Sequence, residues 1–156
     1  MKIRKMTIDD YGQVYDIWLK SGNGLNDIDD SKSGVEKYLH RNPDTCFLAE
    51  DGGKIIGTIM SGHDGRRGFI SHTAVIAPER KKGVGTALVN SALEALKSEG
   101  ITKVALLSFT HNNPGNKFWD KMEFSVRSDL LYRDKALTEM KRINDGFDFL
   151  GGNSNV

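Results

Sequence analysis

The run Phe69-Ile70-Ser71-His72-Thr73-Ala74-Val75-Ile76-Ala77-Pro78-Glu79-Arg80-Lys81-Lys82-Gly83-Val84-Gly85-Thr86 passes from strand chemistry through a basic, glycine-punctuated turn into helix chemistry. Phe69 to Ala77 is rich in β-branched and apolar residues and reads as a strand. From Val84 onward Ala87, Leu88, Ala92, Ala95 and Leu96 draw one apolar helical face, ended by Glu99-Gly100 with glycine at the expected cap. A strand entering a helix through Gly83 and Gly85 leaves the first helical N–H groups unpaired and lets a ligand come close to the backbone. The helix dipole and the cations Arg80, Lys81 and Lys82 add positive potential, so the turn suits a diphosphate. A plain tight turn with solvated cations fits the same residues. The dinucleotide pattern G-x-G-x-x-G fails at Leu88, and the phosphate loop G-x-x-x-x-G-K-[ST] is absent.

Upstream, Thr45 to Glu50 and Lys54 to Ser61 are strand-like runs around Asp51-Gly52-Gly53, the composition of a tight hairpin. With Phe69 to Ala77 they form a meander. Lys2 to Met6 alternates as a short strand, and Thr7-Ile8-Asp9-Asp10 resembles a capping box with Asp for Glu, opening a helix whose stripe is Tyr11, Val14, Tyr15, Trp18 and Leu19. Ser31 to Arg41 allows a second helix after a polar loop. Downstream, Lys103 to Phe109 reads as an apolar strand, Asn116 to Met122 as a short helix and Phe124 onward as a further strand. Ala136 to Ile143 fits either strand or helix. The spacing predicts an α/β fold with a mixed, mostly antiparallel central sheet of six to seven strands flanked by about four helices. Residues 1–145 form one domain in this reading, with 146–156 as a flexible tail.

The 156 residues carry 22 Lys+Arg against 21 Asp+Glu, so no global field recruits nucleic acid or an anionic membrane. The lone Cys46 excludes an intrachain disulfide, and no Cys/His spacing marks a metal site. Neither a signal peptide nor an apolar run of membrane-spanning length is visible, which predicts a cytoplasmic protein.

Arg80-Lys81-Lys82-Gly83-Val84-Gly85 resembles the donor-binding signature R/Q-x-x-G-x-G/A of the GNAT family of acetyltransferases. A second family signature, N-x-x-A-x-x-x-Y-x-x-x-G-F, is similar to the run from Asn112 to Phe124. There Gly115 replaces Ala, Trp119 replaces Tyr and Glu123 replaces Gly. The resemblance covers roughly Met1 to Ile143. It implies a sheet that splays open after the third meander strand to hold acetyl-CoA, with the pantetheine arm along Ala74 and Val75 and near Asn112 and Trp119. The diphosphate would lie on residues 80 to 86, Thr86 included. It further implies direct transfer of the acetyl group to a primary amine of a small molecule or peptide, with no metal. A homodimer is a further possibility among relatives of this kind.

Direct transfer needs a neutral amine, donors for the oxyanion and an acid for the leaving thiolate. Trp119 stands where relatives carry the acidic Tyr, so Tyr132 or a bound water is left to supply the proton. A catalytically idle acetyl-CoA-binding module is the alternative that Trp119 suggests. The candidate base is His72, since histidine is the residue type suited to taking up a proton near neutral pH. Period two would place it with Ile70, Ala74 and Ile76, where a hydrogen-bonded core histidine is an equally consistent role. Asp27, Asp29 and Asp30, in the loop between the first two helices, suit a cationic acceptor or simply a solvated loop. Cys46, flanked by Phe47 and Leu48, reads as a buried small residue.

Overall fold

The computed structural model describes residues 1–143, so the expected tail at 146–156 lies outside the described residues. Strands β1 (Lys2–Lys5), β2 (Phe47–Asp51), β3 (Lys54–His63), β4 (Gly68–Val75) and β5 (Val104–Leu106) form one sheet in sequence order. The first three pairings are antiparallel and β4 with β5 is parallel. Helices α1 (Tyr11–Leu19), α2 (Lys32–Arg41), α3 (Val84–Ser98) and α4 (Asn113–Lys121) complete the described elements. The mixed, mostly antiparallel character and the four helices match the sequence expectation.

The strand count does not. Five strands are present among the described residues, not six to seven, because neither 124–132 nor 136–143 pairs as a strand; only an isolated bridge joins Asn26 to Arg142. Alternation reports how side chains are patterned, and a strand also requires a neighbouring backbone to complete its ladder. β5 likewise stops at Leu106, short of Phe109.

Local signals explain most of the boundaries. Gly52 and Gly53 both take positive φ (56° and 79°), as a two-residue hairpin loop between Asp51 and Lys54 requires. The Asp10 carboxylate accepts from the Thr7 N–H at 2.9 Å, so the first helical stretch starts as a 3-10 turn at Ile8–Asp10 and continues as α1. Ser31 caps α2 by accepting from Gly34 N at 3.1 Å.

The sheet has a core on each face. Val14, Ile17, Trp18, Leu25, Val35, Leu48, Met60 and Ala74 pack beneath α1 and α2. Ile56, Ile59, Ile70, Val84, Leu88, Val89 and Ala92 pack beneath α3, with Phe118, Trp119 and Phe124 from the α4 region against them. Close approach of α3 depends on Gly57, where a Cβ would stand 3.0 Å from both Leu88 and Val84 side chains. That contact fixes where the N-terminus of α3 sits relative to β4.

Candidate active site

β4 and β5 pair only at Gly68↔Val104, Phe69↔Ala105 and Ile70↔Leu106. Beyond Ile70, β4 continues to Val75 while β5 has ended, so the edge of β4 from Ser71 to Val75 turns its backbone groups toward an opening in the sheet. Its other edge stays paired with β3. An extended chain with amides can add to such an edge as a strand would.

The opening leads to the start of α3. Gly83 caps the helix with φ 85° and no side-chain cap, so the first-turn N–H groups of α3 find no intrahelical acceptor. A Cβ at Gly83 would meet nothing within 4 Å, which leaves the space in front of those groups clear. Lys81 also has positive φ (63°), turning the chain tightly around the same point. Arg80 Nε donates to Val75 O at 2.9 Å and locks the loop to the end of β4. Lys82 reaches Glu79 at 3.2 Å, and Lys81 stays exposed. Gly85 and Thr86 lie in the first turn, and a Cβ at Gly85 would stand 3.3 Å from the Phe118 ring, so α4 closes the far side.

β4 carries a bulge whose effect sequence periodicity did not foresee. The register moves from Thr58↔Ala74 to Met60↔Ser71, so His72 and Thr73 together oppose Ile59. His72 takes φ 48°, a strained position for a residue with a side chain. The extra residue reverses the phase: Ile70 belongs to the α3 core, whereas Ala74 belongs to the α1 core. His72 is therefore on the Ala74 side but not the Ile70 side, its ring edge-on to Trp18 at 4.6 Å.

His72 Nε2 lies 2.5 Å from Asp30 Oδ1. Asp30 is 5% exposed, and its other oxygen accepts from Asn26 N at 2.8 Å. Tyr11 donates to the Asp30 carbonyl at 2.7 Å, and Thr58 donates to the His72 carbonyl at 3.3 Å while accepting from Trp18 Nε1 at 3.2 Å. This network orients the imidazole on the α1 side of β4 and ties the acidic loop to that strand. Of the three loop carboxylates, the structure brings only Asp30 to His72; Asp27 and Asp29 stay exposed. Thr73 Oγ1 is buried with no hydrogen-bond partner among the described residues. Thr73 shares the Val75 face of β4, on the α3 side of the sheet.

Asn112 caps α4, accepting from Gly115 N at 3.2 Å. A Cβ at residue 115 would stand 2.3 Å from Asn112 Nδ2, which explains glycine there. Asn116, not singled out in the sequence, donates to Phe109 O at 3.1 Å and Thr110 O at 3.3 Å and ties the start of α4 to the segment that follows β5. Its signal was only a short polar side chain early in a helix. Trp119 packs edge-on between Phe118 and Phe124, with ring centroids 5.0 and 5.2 Å away. Tyr132 is 67% exposed on the irregular segment after α4. Among the described residues no group of three or more His, Cys, Asp or Glu can hold a metal, and no helix is long and apolar enough to cross a membrane.

The fold is α/β, with a sheet that parts beside a glycine-capped helix start. Residues 11–124 match the family model described as Acetyltransferase (GNAT) family. An acetyltransferase of Photorhabdus laumondii is 31% identical over 127 residues, covering 81% of this chain and 88% of its own. One from Sodalis glossinidius is 29% identical over 139 residues, covering 89% and 97%. Among solved structures, the PaiA N-acetyltransferase of Thermoplasma acidophilum in complex with coenzyme A superposes with TM-score 0.71 at 19% identity over 81% of this chain and 90% of its own. The glucosamine-6-phosphate N-acetyltransferase of Arabidopsis thaliana gives 0.64 at 23% identity over 88% and 98%. The chain belongs to the GNAT family of acetyltransferases.

Proposed function

We propose that the protein transfers the acetyl group of acetyl-CoA to a primary amine of a small molecule or peptide by direct attack in a ternary complex. The observation that carries this reading is the edge of β4 beyond Ile70, which β5 leaves uncovered and which leads to the N-terminus of α3. The pantetheine amides would pair along Ala74 and Val75, and the diphosphate would rest on the first N–H groups of α3 and the residues from Arg80 to Thr86. Asn112 borders the same opening and Trp119 supports it through its aromatic packing.

In this proposal His72 takes a proton from the acceptor ammonium, directly or through water, and the freed amine attacks the thioester carbonyl. Donors on the β4 edge stabilise the oxyanion. The tetrahedral adduct then collapses: the carbon–sulfur bond breaks, the thiolate is protonated by water or by Tyr132, and the extra proton on the new amide nitrogen passes to the hydroxide or phenolate so formed. Asp30 acts as a positioning residue, holding the imidazole through its Nε2 contact. The name and complex of the Thermoplasma relative support coenzyme A as the donor carrier.

A second reading, a binding module without turnover, is favoured by one feature: the indole of Trp119 is packed where relatives carry a phenol. The decisive experiment is a thermal-shift titration with acetyl-CoA, CoA, ATP and NAD, followed by a thiol-release screen over amines. Stabilisation by acetyl-CoA and CoA alone supports the donor site. No response to either would refute it, and binding without released thiol for any amine would favour the module.

A further inference from the structure

The bulge that turns His72 toward Asp30 is held from its backbone side by two buried side chains on neighbouring elements. At the bulge His72 and Thr73 together oppose Ile59, and His72 stands at φ 48°. A left-handed residue that carries a side chain persists only where its surroundings over-determine it. The Asp30 contact holds the far end of the ring. The near end needs its own restraint, because an imidazole pinned at Nε2 alone still swings with its backbone.

Thr58, on the facing strand β3, supplies that restraint. Its hydroxyl lies 3.3 Å from the His72 carbonyl oxygen and 3.2 Å from Trp18 Nε1. Thr58 and Trp18 are both 0% exposed, so no water competes for these bonds. Their direction follows from the chemistry of the groups. An indole N–H can only donate, so the Thr58 oxygen accepts from Trp18; a carbonyl can only accept, so the hydroxyl proton goes to His72. Trp18 thus fixes the rotor of Thr58, and Thr58 fixes the carbonyl of the strained residue. The indole also stands edge-on to the imidazole, with ring centroids 4.6 Å apart. One side chain therefore braces the ring directly and, through Thr58, the backbone behind it. The Asp30 carboxylate can only accept, which leaves the neutral ring with its proton on Nε2 and its lone pair on Nδ1.

We propose that Thr58, oriented by Trp18, is a positioning residue for the base: it locks the β4 bulge and so presents the Nδ1 lone pair of His72 in one orientation. The inference rests on the reading of His72 as the base. Valine at position 58 keeps the shape of threonine but deprives the Trp18 N–H and the His72 carbonyl of this buried partner, so the bulge relaxes to re-pair them. Serine keeps the hydroxyl.

Proton NMR of the full chain, alongside kinetics with acetyl-CoA and an amine that releases thiol, tests it. In the parent the Nε2 proton held by Asp30 should give one downfield ring signal, identified by its loss in His72→Ala. Thr58→Val should lose or split that signal and lower kcat by about 10²-fold with KM for acetyl-CoA unchanged, and Thr58→Ser should restore both. A parent-like ring signal in Thr58→Val overturns the proposal, as does a parent-like kcat there when His72→Ala is slow. A Thr58→Ser protein as impaired as Thr58→Val overturns it too, and so does absence of the signal from the parent. The ring signal needs no acceptor amine, so the inference and the catalytic reading fail separately. A signal lost in Thr58→Val while His72→Ala turns over as fast as the parent overturns the base and leaves Thr58 as the support of the ring. Should Thr58→Val fail to fold, Trp18→Phe carries the test from the donor end. It keeps an aromatic ring beside the imidazole, removes the indole N–H and should lose the same signal; an intact signal overturns the proposal.

Discussion

Asp30 Oδ1 and His72 Nε2 meet at 2.5 Å although 42 residues separate them, and the contact exists because a β-bulge turns His72 toward the α1 core. Without the bulge, period two would send that side chain to the α3 face. A buried carboxylate against an imidazole fixes its tautomer and orientation. His72→Ala should therefore retain coenzyme A binding by calorimetry and slow transfer by about 10²–10⁴-fold. Asp30→Asn keeps the shape and removes the charge, so it should lower kcat and alter the pH profile while KM for acetyl-CoA changes little. Unchanged pH–rate profiles in both variants would make the pair a structural tie only.

The glycine loop yields a cleaner test of the donor site. Gly83 sits at φ 85°, so a β-branched replacement would strain the fold as well as fill the site. Asn tolerates the left-handed region. Gly83→Asn should fold normally and weaken coenzyme A binding by about tenfold, a change of about 1.4 kcal/mol. Undiminished affinity would move the diphosphate elsewhere.

The site was legible in the sequence where its signals are local and illegible where they are tertiary. The glycines of the α3 turn, the hairpin at Gly52-Gly53 and the stripe through Leu88 and Ala92 are each written within a few residues. The bulge is not, because nothing in Ser71-His72-Thr73 announces which residue is extra. Asp30 was one of three loop carboxylates until folding chose it. The segment after Phe124 misled in the opposite way: its alternation is real, but strand pairing depends on what lies beside it.

Acid stability should follow the pair between Arg4 and Asp10, whose closest atoms are 2.8 Å apart. Burial pushes the Asp10 carboxyl up, but hydrogen bonds from Arg4 and Thr7 with the Arg4 charge outweigh it and hold the group below the usual carboxylate range. A carboxyl depressed in the folded state stabilises fully above its unfolded value, near about 3.9, and loses that contribution as pH falls through the lower folded value. The stability gap between the parent and Asp10→Asn, measured in urea, should be constant from neutral pH to about 5 and narrow below about 4. A gap that widens on acidification would contradict the assignment.

Cys46 should be inert in the native protein. Its thiol is 1% exposed and donates to Ser61 O at 3.3 Å, and burial pushes its pKa up to about 12. Thiolate is the reactive form, so alkylation by iodoacetamide at neutral pH should be negligible until denaturant is added. Rapid labelling without denaturant, with matching loss of activity, would reopen a covalent role.

Helix α4 ends at a site of measurable strain. Phe124 N donates to Trp119 O and Glu123 N to Asp120 O, both at 3.0 Å, the paired bonds of a Schellman cap. That cap needs a left-handed residue, and here it is Glu123 at φ 64°, where the family signature has glycine. A side chain in that region costs roughly 1–2 kcal/mol, partly offset because glycine gains freedom in the unfolded chain. Glu123→Gly should stabilise the protein by about 0.5–1 kcal/mol, read as a higher midpoint in urea with an unchanged slope. Lower stability in Glu123→Gly would mean that the Glu123 side chain makes a compensating contact, and the strain argument would fail.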